Sequence, residues 1–130
     1  MWIFSRVWRS FISKCRKLKW RCQRFIRGWA DEDTWDIEGW FIETLLPMLK
    51  KIKEDNNGHP FVLSREEWDK TLDDMIYSLE GMNEEGAIKQ LYGEEANLIV
   101  YDYKEIGNHM TESKQKFFEL FVQYFYELWW

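Results

Sequence analysis

Eight residues near the start of the chain, Phe4, Trp8, Phe11, Cys15, Leu18, Cys22, Phe25 and Trp29, are separated by steps of 4-3-4-3-4-3-4. A strand would scatter these side chains over both faces, because its side chains alternate. A helix gathers them into one stripe with a near-3.5 period. The spacing therefore predicts a helix over residues 2–27, roughly 39 Å long at 1.5 Å per residue. No Pro interrupts it, and Gly28 stands where a C-terminal stop belongs.

The opposite face of this helix is basic. Residues 1–27 hold nine Lys and Arg and no Asp or Glu, giving +9. The whole chain has 18 basic and 23 acidic residues, so residues 28–130 carry 9 minus 23, or −14. With Trp8, Cys15, Cys22 and Trp29 at heptad position a, Trp20 falls at f, directly away from the stripe. Its neighbours three and four residues away are Arg16, Lys17, Gln23 and Arg24. An outward indole among cations suits base stacking, a lipid headgroup layer or a protein contact. Three arrangements follow: most simply the stripe packs on the acidic remainder with its charges facing water, or the helix docks on an external anionic surface, or the stripe pairs with a second copy.

One hundred and thirty residues suit a single domain, here a basic helix (1–27) and an acidic helical body (28–130). Nine Trp and 18% aromatic residues exceed what a small core hides, which favours subunit or partner contacts and a homo-oligomer. Cys15 and Cys22 lie about 10.5 Å apart along the helix axis, too far for a disulfide within the chain. They are expected to be reduced, core-facing thiols of a cytoplasmic protein. Charge recurs too often at the N-terminus for a secretory signal or a membrane-spanning helix.

Beyond Gly28, residues 28–34 are a connection in which Asp31 or Asp33 is expected to cap a second helix over 34–54. Pro47 is expected to kink or split that helix. Residues 56–60 form a turn, and Ser64 with Glu67 makes a capping box for a third helix over 65–80. Trp68, Leu72, Met75, Ile76 and Leu79 mark its buried face. Residues 81–87 break the pattern. A helix interrupted near Gly93 is expected to follow, although residues 97–103 are β-rich by composition. It ends at Gly107–His109, and Thr111 or Ser113 caps a last helix over 112–129. In that helix Phe118, Phe121, Phe125 and Leu128 form a stripe with Phe117, Tyr124 and Tyr126 beside it. The fold class is all-α, a compact bundle of four to five helices.

The run from Arg27 to Asp36 (RGWADEDTWD), the Leu-Pro-Met-Leu step, Glu67-Trp68-Asp69 with Asp74-Met75-Ile76, and the aromatic C-terminus form a distinctive set. They resemble a group of uncharacterised small proteins encoded by tailed bacteriophages and prophages. The resemblance covers about residues 20–80 and the final helix. It implies a phage origin and action in a bacterial host cell, and supplies no active site.

Chemistry finds little support in the residues. Both thiols sit on the apolar stripe, and His59 and His109 have no motif partner. Asp31, Asp33, Asp36 and Glu38 resemble a cation loop, but Asp36 stands where an EF-hand needs Gly. Capping and ion pairing explain these acids better, so no metal is expected. No phosphate-loop or dinucleotide spacing occurs among the seven glycines, and no cofactor is expected. The expectation is a non-catalytic binding protein, with counter-defence a fitting role. Arg9, Arg16, Lys17, Trp20, Arg24 and Arg27 would meet an anionic partner: nucleic acid, a nucleotide or an acidic protein surface. The alternatives are a virion or assembly component joined by aromatic contacts, and a peripheral membrane-surface protein.

Overall fold

A computed structural model describes residues 2–55, 58–94 and 100–129. The first helix, α1 (Trp2–Arg27), has the bounds its periodicity predicts. Gly28 ends it with φ +81°, a left-handed conformation that glycine adopts without strain, and its N–H closes on Arg24 O at 2.9 Å. The acidic stretch that follows is not the start of the second helix. Asp31–Trp35 forms a separate 3-10 turn, because the Asp33 carboxylate reaches back to accept the Ala30 N–H at 2.7 Å. The cap of the second helix is Asp36, which takes the Gly39 N–H at 2.9 Å. Helix α2 runs Ile37–Asp55 as one element, and Pro47 does not divide it.

Ser64 caps α3 (Arg65–Glu80) with the reciprocal bonds of a capping box: Glu67 N–H to Ser64 Oγ at 3.2 Å, and Ser64 N–H to Glu67 Oε2 at 2.7 Å. The break after α3 is shorter than expected. Asn83 caps α4 (Glu84–Tyr92), so α3 and α4 are separated only by residues 81–83. Gly86 permits this close turn, since a Cβ there would meet Glu80 O at 1.8 Å. Helix α4 ends at Gly93, near the expected interruption.

Asp102 caps α5 (Tyr103–Gln123), which runs through the expected stop at Gly107–His109. Thr111 and Ser113 are therefore interior helix residues rather than caps: the Thr111 hydroxyl bonds Gly107 O at 2.9 Å, and Ser113 is buried. A short 3-10 turn, Phe125–Glu127, follows. The expected turn at Asn56–Asn57 and part of the β-rich stretch (97–99) lie outside the described residues. Among the described residues the fold is all-α.

The chain divides into two compact units, Met1–Trp40 and Phe41–Trp130. The boundary falls inside α2 rather than at the change of charge after Arg27. The second unit is a helical bundle in which α5 packs on α3 and α4. Its core holds Leu49 of α2, Met75 and Leu79 of α3, and Phe117 of α5, all with no exposure. Phe117 is the centre of an aromatic cluster, 6.0 Å from Phe41 and 5.3 Å from Phe121. The sequence reading placed Phe118 on the main stripe and Phe117 beside it. The packing reverses them, for Phe118 is exposed.

Candidate docking surface on the first helix

Within the first unit the acidic turn closes on the polar side of α1. Gln23 holds Asp31 at both ends: its Nε2 donates to Asp31 Oδ2 at 2.7 Å, and its Oε1 accepts the Asp31 N–H at 2.9 Å. Arg24 donates to Glu32 and to Asp33 Oδ1, the latter at 2.8 Å. Arg27 donates to Asp31 and to Trp29 O, and its guanidinium lies 3.7 Å over the Trp29 ring. Lys19 stands 3.4 Å from Asp31 Oδ2. These contacts explain the acidic run as a polar clamp on the last two turns of α1.

The clamp sets the protonation of its own groups. The Gln23 amide, followed by the Arg27 guanidinium, holds the Asp31 carboxyl down at about 2. Arg24, and then the Ala30 N–H, hold Asp33 below the ordinary carboxylate range. In return Asp33, and then Glu32, raise the Arg24 guanidinium above its ordinary value.

Trp20 belongs to the clamp as well. The Trp35 ring meets it edge-on, with centroids 5.8 Å apart at 89°, and Arg16 lies 5.2 Å from its centroid. The outward indole that the heptad singles out is thus a contact for the returning chain. Of the six candidate residues, Trp20, Arg24 and Arg27 are engaged by the turn, and Arg16 covers Trp20. Arg9 and Lys17 are exposed, and among the described residues no carboxylate pairs with either. Arg6, Lys14 and Arg21 share that condition, and sequence reasoning left them off the binding face. Lys14 and Arg21 border the stripe and Arg6 shares heptad position f with Trp20, and those positions are the signal that places them on the exposed cationic surface.

Among the described residues, the apolar stripe from Phe4 to Phe25 finds no cover within its own unit. Phe4 is 85% and Phe25 92% exposed, and Val7, Trp8, Phe11, Leu18 and Ile26 are exposed with them. At 3.6 residues per turn these side chains, with Ile12, sweep an arc of roughly 140°. Cys15 and Cys22 lie within this arc and are exposed, not core-facing thiols. The turn could not cover the arc, because its carboxylates select the cationic side of the helix. Counted over residues 1–40, nine basic against five acidic side chains leave +4.

Elsewhere the histidines have local partners. His109 Nε2 lies 2.7 Å from Gln90 Oε1, and His59 Nδ1 lies 3.1 Å from Pro60 O. No helix among the described residues is long and apolar enough to cross a membrane. Comparison with protein-family models, curated proteins and solved structures finds no match.

Proposed function

We propose that this chain is a non-catalytic, phage-encoded binding protein that acts in the cytoplasm of a bacterial host and docks an anionic partner through α1. One observation carries the reading: a row of exposed cations without carboxylate partners among the described residues, Arg6, Arg9, Lys14, Lys17 and Arg21, along the helix that also carries an exposed apolar arc. Such a row attracts phosphate-bearing surfaces and holds them less tightly as salt rises. The phage assignment rests on the sequence resemblance alone. Base stacking by Trp20 is the weaker part of the nucleic-acid version, since Trp35 and Arg16 already engage the ring.

The test is a salt titration of binding to two polyanions, fluorescent single-stranded DNA and vesicles containing phosphatidylglycerol. Wild type is compared with an Arg9→Glu/Lys14→Glu/Lys17→Glu variant. Salt-sensitive binding to at least one probe, lost in the variant, is the expected result. Absence of binding to both at low salt overturns the reading.

A second reading has its own observation. Phe118 and Val122 on α5, and Phe125 and Trp129 in the segment after its end, are exposed near the C-terminus of the second unit. An apolar set of this kind suits subunit contacts in a homo-oligomer or a virion assembly component. Sedimentation of wild type against Val122→Lys separates the two readings: assembly through this set predicts loss of the larger species in the variant.

A further inference from the structure

We infer that the partner of α1 is the surface of a lipid bilayer bearing anionic headgroups, with the apolar arc sunk among the upper acyl chains. This rests on the proposed docking function and names its target.

Two properties of α1 must be satisfied together. One is charge: nine cations and no carboxylate within the helix. The other is an exposed arc of large apolar side chains, among them Val7, Trp8, Phe11, Leu18, Phe25 and Ile26. A polynucleotide answers the first and leaves the arc in water. A second copy answers the second but violates the first. In a paired coiled coil the positions flanking the seam include Lys14, Lys19 and Arg21, which would bring like charges together midway along it. The arc of roughly 140° is also broader than a two-stranded seam requires. An anionic bilayer answers both. Apolar side chains enter the acyl boundary, while Lys14 and Arg21 on one border extend to headgroup phosphates; Lys19, on the other border, is paired with Asp31.

The clamp fits this geometry. The turn Asp31–Trp35 is bound to the cationic side through Gln23, Arg24 and Arg27, opposite the arc, so its carboxylates stay on the water side. Residues 28–130 carry −14 and are repelled by an anionic surface, so electrostatics alone would hold the chain weakly. Apolar insertion must supply part of the affinity, and that gives the inference its distinguishing test.

The experiment is flotation of the full chain with vesicles of phosphatidylcholine, with and without phosphatidylglycerol, at low and high salt. Wild type is compared with Phe11→Ser/Leu18→Ser, which keeps every cation. Both positions are exposed, so circular dichroism and the thermal midpoint should match wild type. Expected results are binding to phosphatidylglycerol vesicles that weakens with salt without vanishing, and a loss of at least about tenfold in the double variant. Equal binding by the variant overturns insertion. Binding to single-stranded DNA without vesicle binding overturns the lipid assignment and leaves the anionic-partner reading standing. A dimer abolished by the double variant, again without vesicle binding, makes a second copy the occupant and overturns it. No binding to vesicles or DNA removes both readings.

Discussion

The two units solve the same problem in opposite ways. In the second, apolar side chains meet one another: Leu49, Leu79 and Phe117 are fully enclosed, and the rings of Phe41, Phe117 and Phe121 pack edge to face and face to face. In the first, the contacts are mostly polar and exposed, Trp20 with Trp35 apart, and among the described residues the apolar arc of α1 finds no cover within the unit. Burial of apolar surface dominates folding stability, whereas exposed ion pairs contribute little. The second unit therefore holds the stability of the chain. The first holds a surface, with a clamp that fixes how its two ends meet rather than how strongly it folds.

This contrast can be broken most decisively at Phe117. Phe117→Ala should lower unfolding free energy by about 3–5 kcal/mol in urea denaturation. A loss no greater than that of an exposed-site change would mean the aromatic cluster is not the core. Gly86→Ala comes next. Helix propensity alone favours Ala, yet the new Cβ would strike Glu80 O, so a loss of about 1–3 kcal/mol is expected. A gain would show that α3 and α4 can separate freely. Ser64→Ala should cost about 1 kcal/mol through the lost cap of α3.

The smallest effects belong to the first unit, and they are local. Arg24→Ala should alter the tryptophan emission from the Trp20–Trp35 pair and leave the urea midpoint nearly unchanged. Acid should act in the same way. The Asp31 carboxyl is depressed from 3.8 to about 2 in the folded chain, so its contribution is complete above the ordinary value and disappears as pH falls through about 2. Near-ultraviolet circular dichroism followed from pH 5 to about 2 should report that loosening, and Asp31→Asn should flatten the change. A global unfolding in either experiment would mean that the clamp carries stability and the contrast is wrong.

Much of the fold was legible in the sequence. The 4-3 stripe and Gly28 set α1, and Ser64 with Glu67 set the start of α3. These signals are local, each resting on a side chain and a backbone group within one helical turn. The misreadings arose where packing competes with propensity. Gly107 reads as a stop, but α5 continues through it, because Ile106, Ser113 and Phe117 lie on one buried face that rewards an unbroken helix. The Cβ that Gly107 lacks would meet only open space, so the residue marks no close approach. Trp20 was legible as an outward residue. Its partner was not, because Trp35 reaches it only after the chain reverses through Gly28 and the 3-10 turn. Half of the candidate face, Trp20, Arg24 and Arg27, is therefore in contact with the returning chain.

By itself the sequence determined the bounds of α1 and α3, the amphipathic character of α1 and the separation of basic from acidic charge, because periodicity, caps and charge order are properties of the chain written in one dimension. Only the tertiary structure decided which cations stay unpaired and which phenylalanine becomes the core. Those outcomes depend on distances between residues far apart in sequence: the Arg24 guanidinium with the Asp33 carboxylate, and Phe41 with Phe117.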